Sequence, residues 1–272
     1  GFQEYQFLSN GGEILLVSKR DTANSKISVR SETFLGRRKN ATAVQGVTPI
    51  EGASSVITTF QADRKISFKK PLEGVGSIVI KPFTEGKSIG LGTSSGADLE
   101  IKGLTEIDNT NSLLTIGDAS TNGIASVSPI SLTVPTIFRS GSDALSFTGN
   151  LTSTNNLTLD VEGNSSVGVL NLGTGSLTKE GSGILNLTAT NSYSGATNIN
   201  AGTLQLSNTG ALGTTSALNF DGGTLRFSVA ASIPSGTAFV LNSGGGVFEV
   251  DPGLAINVSR AISGSGALSK TG

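Results

Sequence analysis

Residues 173–206 read GTGSLTKEGSGILNLTATNSYSGATNINAGTLQL, and the pattern in this stretch decides the fold. Leucines stand two residues apart at Leu185/Leu187 and again at Leu204/Leu206, with Gly, Ser, Thr and Asn filling most of the positions between them. The opening GTGSLTKEG returns as GSGALSKTG over residues 264–272, so that Leu177 recurs as Leu268 after 91 residues. Such a recurrence predicts an architecture that is built from internal repeats.

The spacing of the apolar pairs predicts a parallel β-solenoid. Each pair marks a strand of about four to six residues, and the pairs recur about every 20 residues in two offset series. Helical crossovers between parallel strands need roughly a dozen residues, which this spacing does not leave. We therefore expect strands that turn corners in a coil of roughly 23 residues, with about four coils in each 91-residue unit. Inward Leu, Ile, Val and Phe would form the core, with Gly, Asn and Ser at the corners.

The alternative fold is an antiparallel β-sandwich or barrel, which also shows many short strands at regular spacing. Two-residue hairpin signals are confined to Asn10-Gly11, Asn122-Gly123 and Asp221-Gly222, which favours the solenoid. In a solenoid, Asn side chains at equivalent corners are expected to pass amide hydrogen bonds from coil to coil.

The regularity of the apolar pattern changes near residue 75. This change predicts a less regular, basic, β-rich portion over residues 1–75 and regular repeats over residues 76–272. Residues 1–102 hold 14 of the 19 Lys and Arg against 10 acidic residues, while the remainder holds 5 against 10. A solvated face explains this basic portion; contact with an acidic polymer or with the chain's own next segment is the alternative. The predicted strand pairs of the regular part begin with Ile78/Ile80, Ile89/Leu91, Leu99/Ile101, Leu114/Ile116 and Ile130/Leu132.

Composition excludes several kinds of catalytic site. The chain has no His and no Cys, so Ser-His-Asp triads, Cys-His pairs and ordinary zinc sites cannot form. The GKS sequence at Gly86–Ser88 fails as a phosphate loop because Lys81 stands where the first Gly is required. No run of 18 apolar residues is present, so the sequence predicts no transmembrane helix in this chain.

A pair of carboxylates is the remaining kind of catalytic site that we considered. Polysaccharide hydrolysis needs two acids that face each other across a groove. The candidates are Asp98/Glu100, Asp108, Asp118 and Asp160/Glu162. They are scattered as solvated residues would be, and aromatic platforms for sugar rings are scarce. We therefore predict no catalytic, cofactor-binding or metal-binding residues, and keep a polysaccharide-active enzyme as the less favoured hypothesis.

Two stretches resemble known repeats of secreted bacterial proteins. GSIVIKPFTEGKSIGLG and LLTIGDASTNGI are similar to repeats of large exoproteins of the filamentous-haemagglutinin type. LTKEGSGILNLTATNSYSGATNINAGTLQLSNTGALG resembles the passenger-associated repeat of autotransporter passengers. Together the resemblances cover roughly residues 76–272. The second is carried by Lys179, Gly181, Gly183, Leu185, Leu187, Tyr193, Gly195, Thr197, Ile199, Gly202 and Leu204.

The resemblance implies a right-handed parallel β-helix that is exported by type V secretion in Gram-negative bacteria and located at the cell surface or outside the cell. We expect a segment of a longer chain that acts as a rigid adhesive stalk, with about twelve coils. Its partner would be a glycan or protein receptor, not nucleic acid, on a host or neighbouring cell. The alternative is a subunit that associates end to end into an extracellular filament or sheath.

Overall fold

The computed structural model forms three parallel β-sheets, called faces 1, 2 and 3 here, that coil around one core. It describes residues 57–62, 65–68, 77–92, 96–107, 112–258 and 260–272, together with the backbone of four strands before residue 45. Most of the predicted less regular portion, residues 1–75, lies outside the described residues. Within it, the strand Lys26–Arg30 pairs in parallel with Ile57–Gln61, and Thr42–Val44 pairs in parallel with Lys65–Phe68.

The strands are numbered in chain order. Face 1 has fourteen described strands, β1 (Ser9–Asn10), β2 (Glu13–Ile14), β4 (Thr42–Val44), β6 (Lys65–Phe68), β8 (Ile89–Leu91), β9 (Leu99–Lys102), β11 (Ile124–Ser126), β14 (Leu145–Phe147), β17 (Ser165–Val167), β20 (Ile184–Leu187), β23 (Thr203–Leu206), β25 (Thr224–Phe227), β27 (Gly246–Val250) and β29 (Leu268–Thr271).

Face 2 has eleven described strands, β3 (Lys26–Arg30), β5 (Ile57–Gln61), β7 (Ser77–Lys81), β10 (Leu113–Gly117), β13 (Thr136–Ser140), β16 (Leu157–Val161), β19 (Leu177–Glu180), β22 (Thr197–Ile199), β24 (Ala217–Phe220), β26 (Ala238–Leu241) and β28 (Ile262–Gly264). Face 3 has four, β12 (Ile130–Ser131), β15 (Leu151–Thr152), β18 (Leu170–Gly173) and β21 (Ser192–Tyr193). A 3-10 turn spans Leu104–Glu106.

Strand register shows the coil directly. On face 2, Phe138 lies beside Leu159, which lies beside Lys179, so successive coils are 21 and 20 residues long. Apart from the β1–β2 pair, every described strand pairing is parallel.

The prediction of an all-β parallel β-solenoid is confirmed, with about nine turns rather than the twelve expected. The antiparallel sandwich or barrel is wrong: Asp221-Gly222, read as a hairpin signal, is a corner between β24 and β25 on different faces.

The core is a single column of inward side chains. Most strands whose burial is described, such as β20 and β23, alternate buried and half-exposed residues, because successive side chains point to opposite sides of a strand. The predicted pairs from Ile78/Ile80 to Ile130/Leu132 are all buried. Bulkier rings fill the C-terminal coils, where Phe248 contacts Phe220, Phe227 and Phe239 edge to face with centroids 5.5, 6.0 and 5.9 Å away.

Glycine at the corner between faces 2 and 1 allows the coils to stack closely. A Cβ on Gly183 would lie 2.4 Å from the carbonyl oxygen of Gly163, one coil earlier. A Cβ on Gly163 would in turn lie 2.2 Å from the carbonyl oxygen of Ser142. Since real side chains do not approach backbone oxygens so closely, this corner excludes every other residue type.

The 91-residue recurrence is not a structural repeat. Register along face 2 leads from Lys179 through four coils to Gly264, which is 85 residues away. Lys270 lies six residues further along the chain and falls on face 1, beside Phe248. The two copies of the motif therefore occupy different faces, because four coils take up 85 residues whereas the motif recurs only after 91.

One strand departs from the simple coil. On face 1, β9 lies between β6 and β8 although it follows β8 in the chain. The coil from β7 to β10 consequently spans 36 residues, from Ile80 to Ile116. The alternating pair Leu99/Ile101 correctly predicts a strand here, but not its place in the sheet.

Asparagine side chains pass amide hydrogen bonds between coils as expected, both along a strand face and at a corner. Asn219 donates to the side chain of Asn198 (2.8 Å), which donates to the Thr178 hydroxyl (3.0 Å), along the outward side of face 2. At a corner, the buried Asn191 accepts from the Leu170 N–H and donates to the Ala211 carbonyl, so that it links three coils.

Candidate functional site

The most unusual side chain of the described core is Lys179, which points inward from β19 and is 0 % exposed. In the core column it stands between Leu159 and Ile199 of the adjacent coils. Its amine donates to the carbonyl oxygens of Glu180 (2.6 Å), Gly181 (2.7 Å) and Ala201 (3.3 Å). The three N–H groups of the ammonium therefore have three backbone acceptors, which ties the tight corner after β19 to the next coil.

Burial lowers the pKa of Lys179 to about 8, against the opposing effect of the negative charges of Asp160, Glu162 and Glu180. The group remains mostly charged at neutral pH. A buried charge in this position is costly unless it is fully hydrogen-bonded, which the three carbonyls achieve. Through its three hydrogen bonds, Lys179 joins the corner after β19 to the next coil.

A second polar group in the core is a chain of hydroxyls. The hydroxyl of buried Tyr193 contacts that of Thr197 at 2.8 Å, and Thr197 donates to Thr215 at 3.0 Å. Thr215 in turn donates to the carbonyls of Gly195 and Ala217. Burial raises the pKa of Tyr193 above its ordinary value, while the hydrogen bond with Thr197 acts the other way. These contacts pin the coil of β21–β22 to the next one.

The acid pair Asp98/Glu100 is engaged by lysines and a serine. The Asp98 carboxylate accepts from the Ser88 N–H and hydroxyl (both 3.0 Å) and from Lys87 (3.1 Å). The Ser88 N–H contributes most to lowering the pKa of Asp98, followed by Lys87. Glu100 contacts Lys102 at 2.9 Å and Lys65 at 3.9 Å. The GKS sequence thus holds a carboxylate of its own chain, where a phosphate loop would hold a nucleotide.

Each of the other described acid candidates has its own hydrogen-bonding partner. The Asp118 carboxylate accepts hydrogen bonds from Lys81 (2.8 Å) and Ser120. Burial raises the pKa of Asp118, but these hydrogen bonds outweigh burial, so the pKa is lowered overall. Asp160 pairs with Arg139 of the previous coil at 2.6 Å. Glu162 accepts the Ser182 hydroxyl and N–H, which lower its pKa.

Asp108 lies outside the described residues. Where the structure describes the chain, no three His, Cys, Asp or Glu side chains meet as metal ligands would. In the same residues, none of the helical structure has the length and apolarity that a membrane span requires.

A surface that the sequence analysis missed lies on face 3. A shallow depression of about 460 Å³ is lined by β12, β15 and the residues after them, with Thr105 of the 3-10 turn at its side. We call it the hydroxyl groove and define it by the exposed Thr105, Ser131, Thr133, Thr152 and Thr154. Ser and Thr also fill corners and loops throughout this chain, so only their convergence on one face distinguishes these five.

Comparison with known proteins gives one match. Residues 177–206 match the family model of the passenger-associated-transport-repeat. A comparison with curated proteins and one with solved structures found no match.

The matched repeat spans β19 to β23, and the structure gives its residues physical roles. The motif's Leu185, Leu187 and Leu204 are core residues, Lys179 closes a corner, Gly183 permits close stacking, and Tyr193 bonds to Thr197. This agreement confirms the resemblance to autotransporter passengers. The chain therefore carries a passenger-associated-transport-repeat within a β-solenoid, as is consistent with an autotransporter passenger domain.

Proposed function

We propose that this chain is part of the extracellular passenger of a type V secreted bacterial surface protein, where it serves as a rigid, non-enzymatic adhesive stalk. The observation that carries the proposal is the passenger repeat at 177–206 inside the parallel solenoid of the described residues. Its strands share one core with the coils before and after it. The division into a basic portion over residues 1–75 and repeats over residues 76–272 remains part of this proposal.

The bonding between coils supports a mechanical role. Strands of successive coils are joined by main-chain hydrogen bonds parallel to the solenoid axis, so axial extension would break many bonds at once. Charged side chains add links between coils, as in Arg139–Asp160 and in Arg226 with Glu249 and Asp251. At about 4.8 Å per coil, nine turns form a rod of about 43 Å.

The surface chemistry supports a non-enzymatic role and a partner other than nucleic acid. Each described acid candidate is held by a basic or hydroxyl side chain rather than facing a second acid across a cleft. Residues 103–272 hold 5 basic against 10 acidic residues, a balance that disfavours a polyanionic partner. The partner would be a glycan or protein receptor on a host or neighbouring cell.

The location is tested on intact cells that produce the native protein. We expect an antibody against this chain to label unpermeabilised cells, and external protease to remove the label while a cytoplasmic marker survives. Labelling that appears only after lysis would contradict the proposal.

The alternative role is a subunit that assembles end to end into a filament or sheath. Analytical sedimentation of the purified chain distinguishes this role from the stalk. The stalk proposal predicts one elongated species across a hundredfold range of concentration. Growth of the species with concentration would favour the filament.

A further inference from the structure

The hydroxyl groove has unused hydrogen-bonding capacity. Thr133 donates its hydroxyl to the Ile107 carbonyl. The hydroxyls of Thr105, Ser131, Thr152 and Thr154 have no partner among the described residues, and all four residues are exposed. Each of these hydroxyls can both donate and accept a hydrogen bond.

Strands fix the direction of two of these hydroxyl residues, since Ser131 and Thr152 point outward from β12 and β15 while Ile130 and Leu151 point inward. Thr133 and Thr154 lie just beyond these strands and are exposed, each next to a buried residue. Ser131 lies beside Thr152 in parallel register. The groove therefore presents an array of outward hydroxyls, with the strand pair Ser131 and Thr152 at its centre and the exposed Thr133, Thr154 and Thr105 beside it.

None of the described residues that line the groove is ionisable. Residues 119–138, 144–159 and 163–178 contain no Asp, Glu, Lys or Arg at all. The charges of these coils stand in the short segments between those stretches, as Arg139, Asp143, Asp160, Glu162 and Lys179. Among the described residues of the groove, a polyanion would find no cation and a cationic peptide would find no carboxylate.

The array repeats along the solenoid axis. The row of Ser131 and Thr152 continues through Asn171 to Ser192 on β18 and β21. Its step of about 4.8 Å is the spacing between strands, which is close to the length of one pyranose unit in an extended polysaccharide. A chain of sugars lying along the axis can thus present hydroxyls to each coil in turn.

We infer that the hydroxyl groove binds a neutral polysaccharide that lies along the axis of the solenoid. The ligand class follows from three properties of the site, which are its uncharged lining, its outward hydroxyls and its periodicity. Individual contacts between hydroxyls are weak, so affinity comes from several contacts made by one polymer. Binding is therefore expected for polymers and long oligosaccharides, and not for monosaccharides. The inference adds a ligand class to the proposed stalk.

Affinity electrophoresis of the purified chain in gels containing a soluble neutral glucan tests this inference. The groove variant combines Ser131→Ala, Thr152→Val and Thr154→Val, which remove hydroxyls while nearly preserving shape. The control combines Ser146→Ala, Thr115→Val and Thr224→Val, which remove three outward hydroxyls from faces 1 and 2. We expect wild type and control to be retarded and the groove variant to need at least tenfold more glucan for equal retardation. Circular dichroism and thermal unfolding confirm that all three proteins are folded.

Retardation of wild type and groove variant to the same extent would overturn the inference. The inference would also be overturned if gels containing cellulose-type glucans, laminarin or dextran all failed to retard the wild type. Retardation by the acidic polysaccharide alginate, without retardation by any neutral polysaccharide, would overturn it as well. Competition by glucose as effective as that by a long glucan oligosaccharide would also refute it. Surface labelling of cells tests the stalk independently, so a failure of glucan binding is distinguishable from a failure of the proposed function.

Discussion

At the scale of single residues, the passenger repeat contains polar side chains that the core accommodates only with complete hydrogen bonding. Lys179 occupies a position that Leu159 and Ile199 occupy in the adjacent coils. From the hydrophobic pattern alone, a lysine would be expected to point outward. The repeat motif marks Lys179 as a defining residue, but nothing in the sequence indicates that it is buried. The backbone carbonyls of the corner stabilise the buried ammonium, and their positions cannot be predicted before the fold is known.

Lys179 should make stability depend on pH. Its pKa is about 8 in the folded state and about 10.4 when unfolded. Between these values the unfolded chain binds more protons, so the free energy of unfolding rises with pH. We expect a gain of about 2 kcal/mol between pH 7 and 9.5, measured by urea unfolding below the range where Tyr193 ionises. Lys179→Met should abolish this gain and Lys102→Met should retain it. An equal gain in Lys179→Met would show that the amine is solvated.

The contact between Tyr193 and Thr197 is open to a double-mutant cycle. Thr197→Val leaves a buried tyrosine hydroxyl without its partner and should cost about 2 kcal/mol, while Tyr193→Phe should cost about 1 kcal/mol. The double variant should be less destabilised than the sum of the two, because neither orphaned group remains. Additive costs, measured by denaturant unfolding, would mean that the two hydroxyls do not interact.

At the scale of strands and corners, alternation and spacing predict most of the fold. The pairs Leu185/Leu187 and Leu204/Leu206 identify strands, and the glycines between them identify corners, because each follows from local backbone geometry. The place of β9 between β6 and β8 depends on contacts across coils, which no local pattern encodes. The same holds for the face on which Lys270 falls, since small differences in coil length accumulate.

The glycine corner provides a matched pair of substitutions. Gly183→Ala would place a methyl group 2.4 Å from the Gly163 oxygen, whereas at Gly168 the nearest atom lies at 3.4 Å, in ordinary contact. Neither glycine has a left-handed backbone, so steric overlap alone separates them. We expect Gly183→Ala to destabilise the protein by about 3 kcal/mol and Gly168→Ala by less than about 1 kcal/mol. Similar thermal unfolding curves for the two variants would contradict the close stacking of these coils.

At the scale of the whole molecule, the chain is a stack of coils whose side chains are divided by direction. In the described residues, core side chains point inward and the paired charges lie on or beside faces 1 and 2, while face 3 carries hydroxyls without charge. The sequence alone predicts the stack and excludes histidine and cysteine chemistry. It does not predict the hydroxyl groove, because its members come from two coils and a separate turn.

The most direct test of the parallel solenoid is a set of distances along its axis. The cysteine-free chain permits spin labels at chosen pairs, and register on face 2 aligns Thr115, Ile137 and Thr158 with Val240 in one outward row. Labels on these three residues, each paired with a label on Val240, should give distances of about 29, 24 and 19 Å, a step of about 4.8 Å per coil. Distances by pulsed electron paramagnetic resonance that fail to shorten steadily from Thr115 to Thr158 would contradict the solenoid.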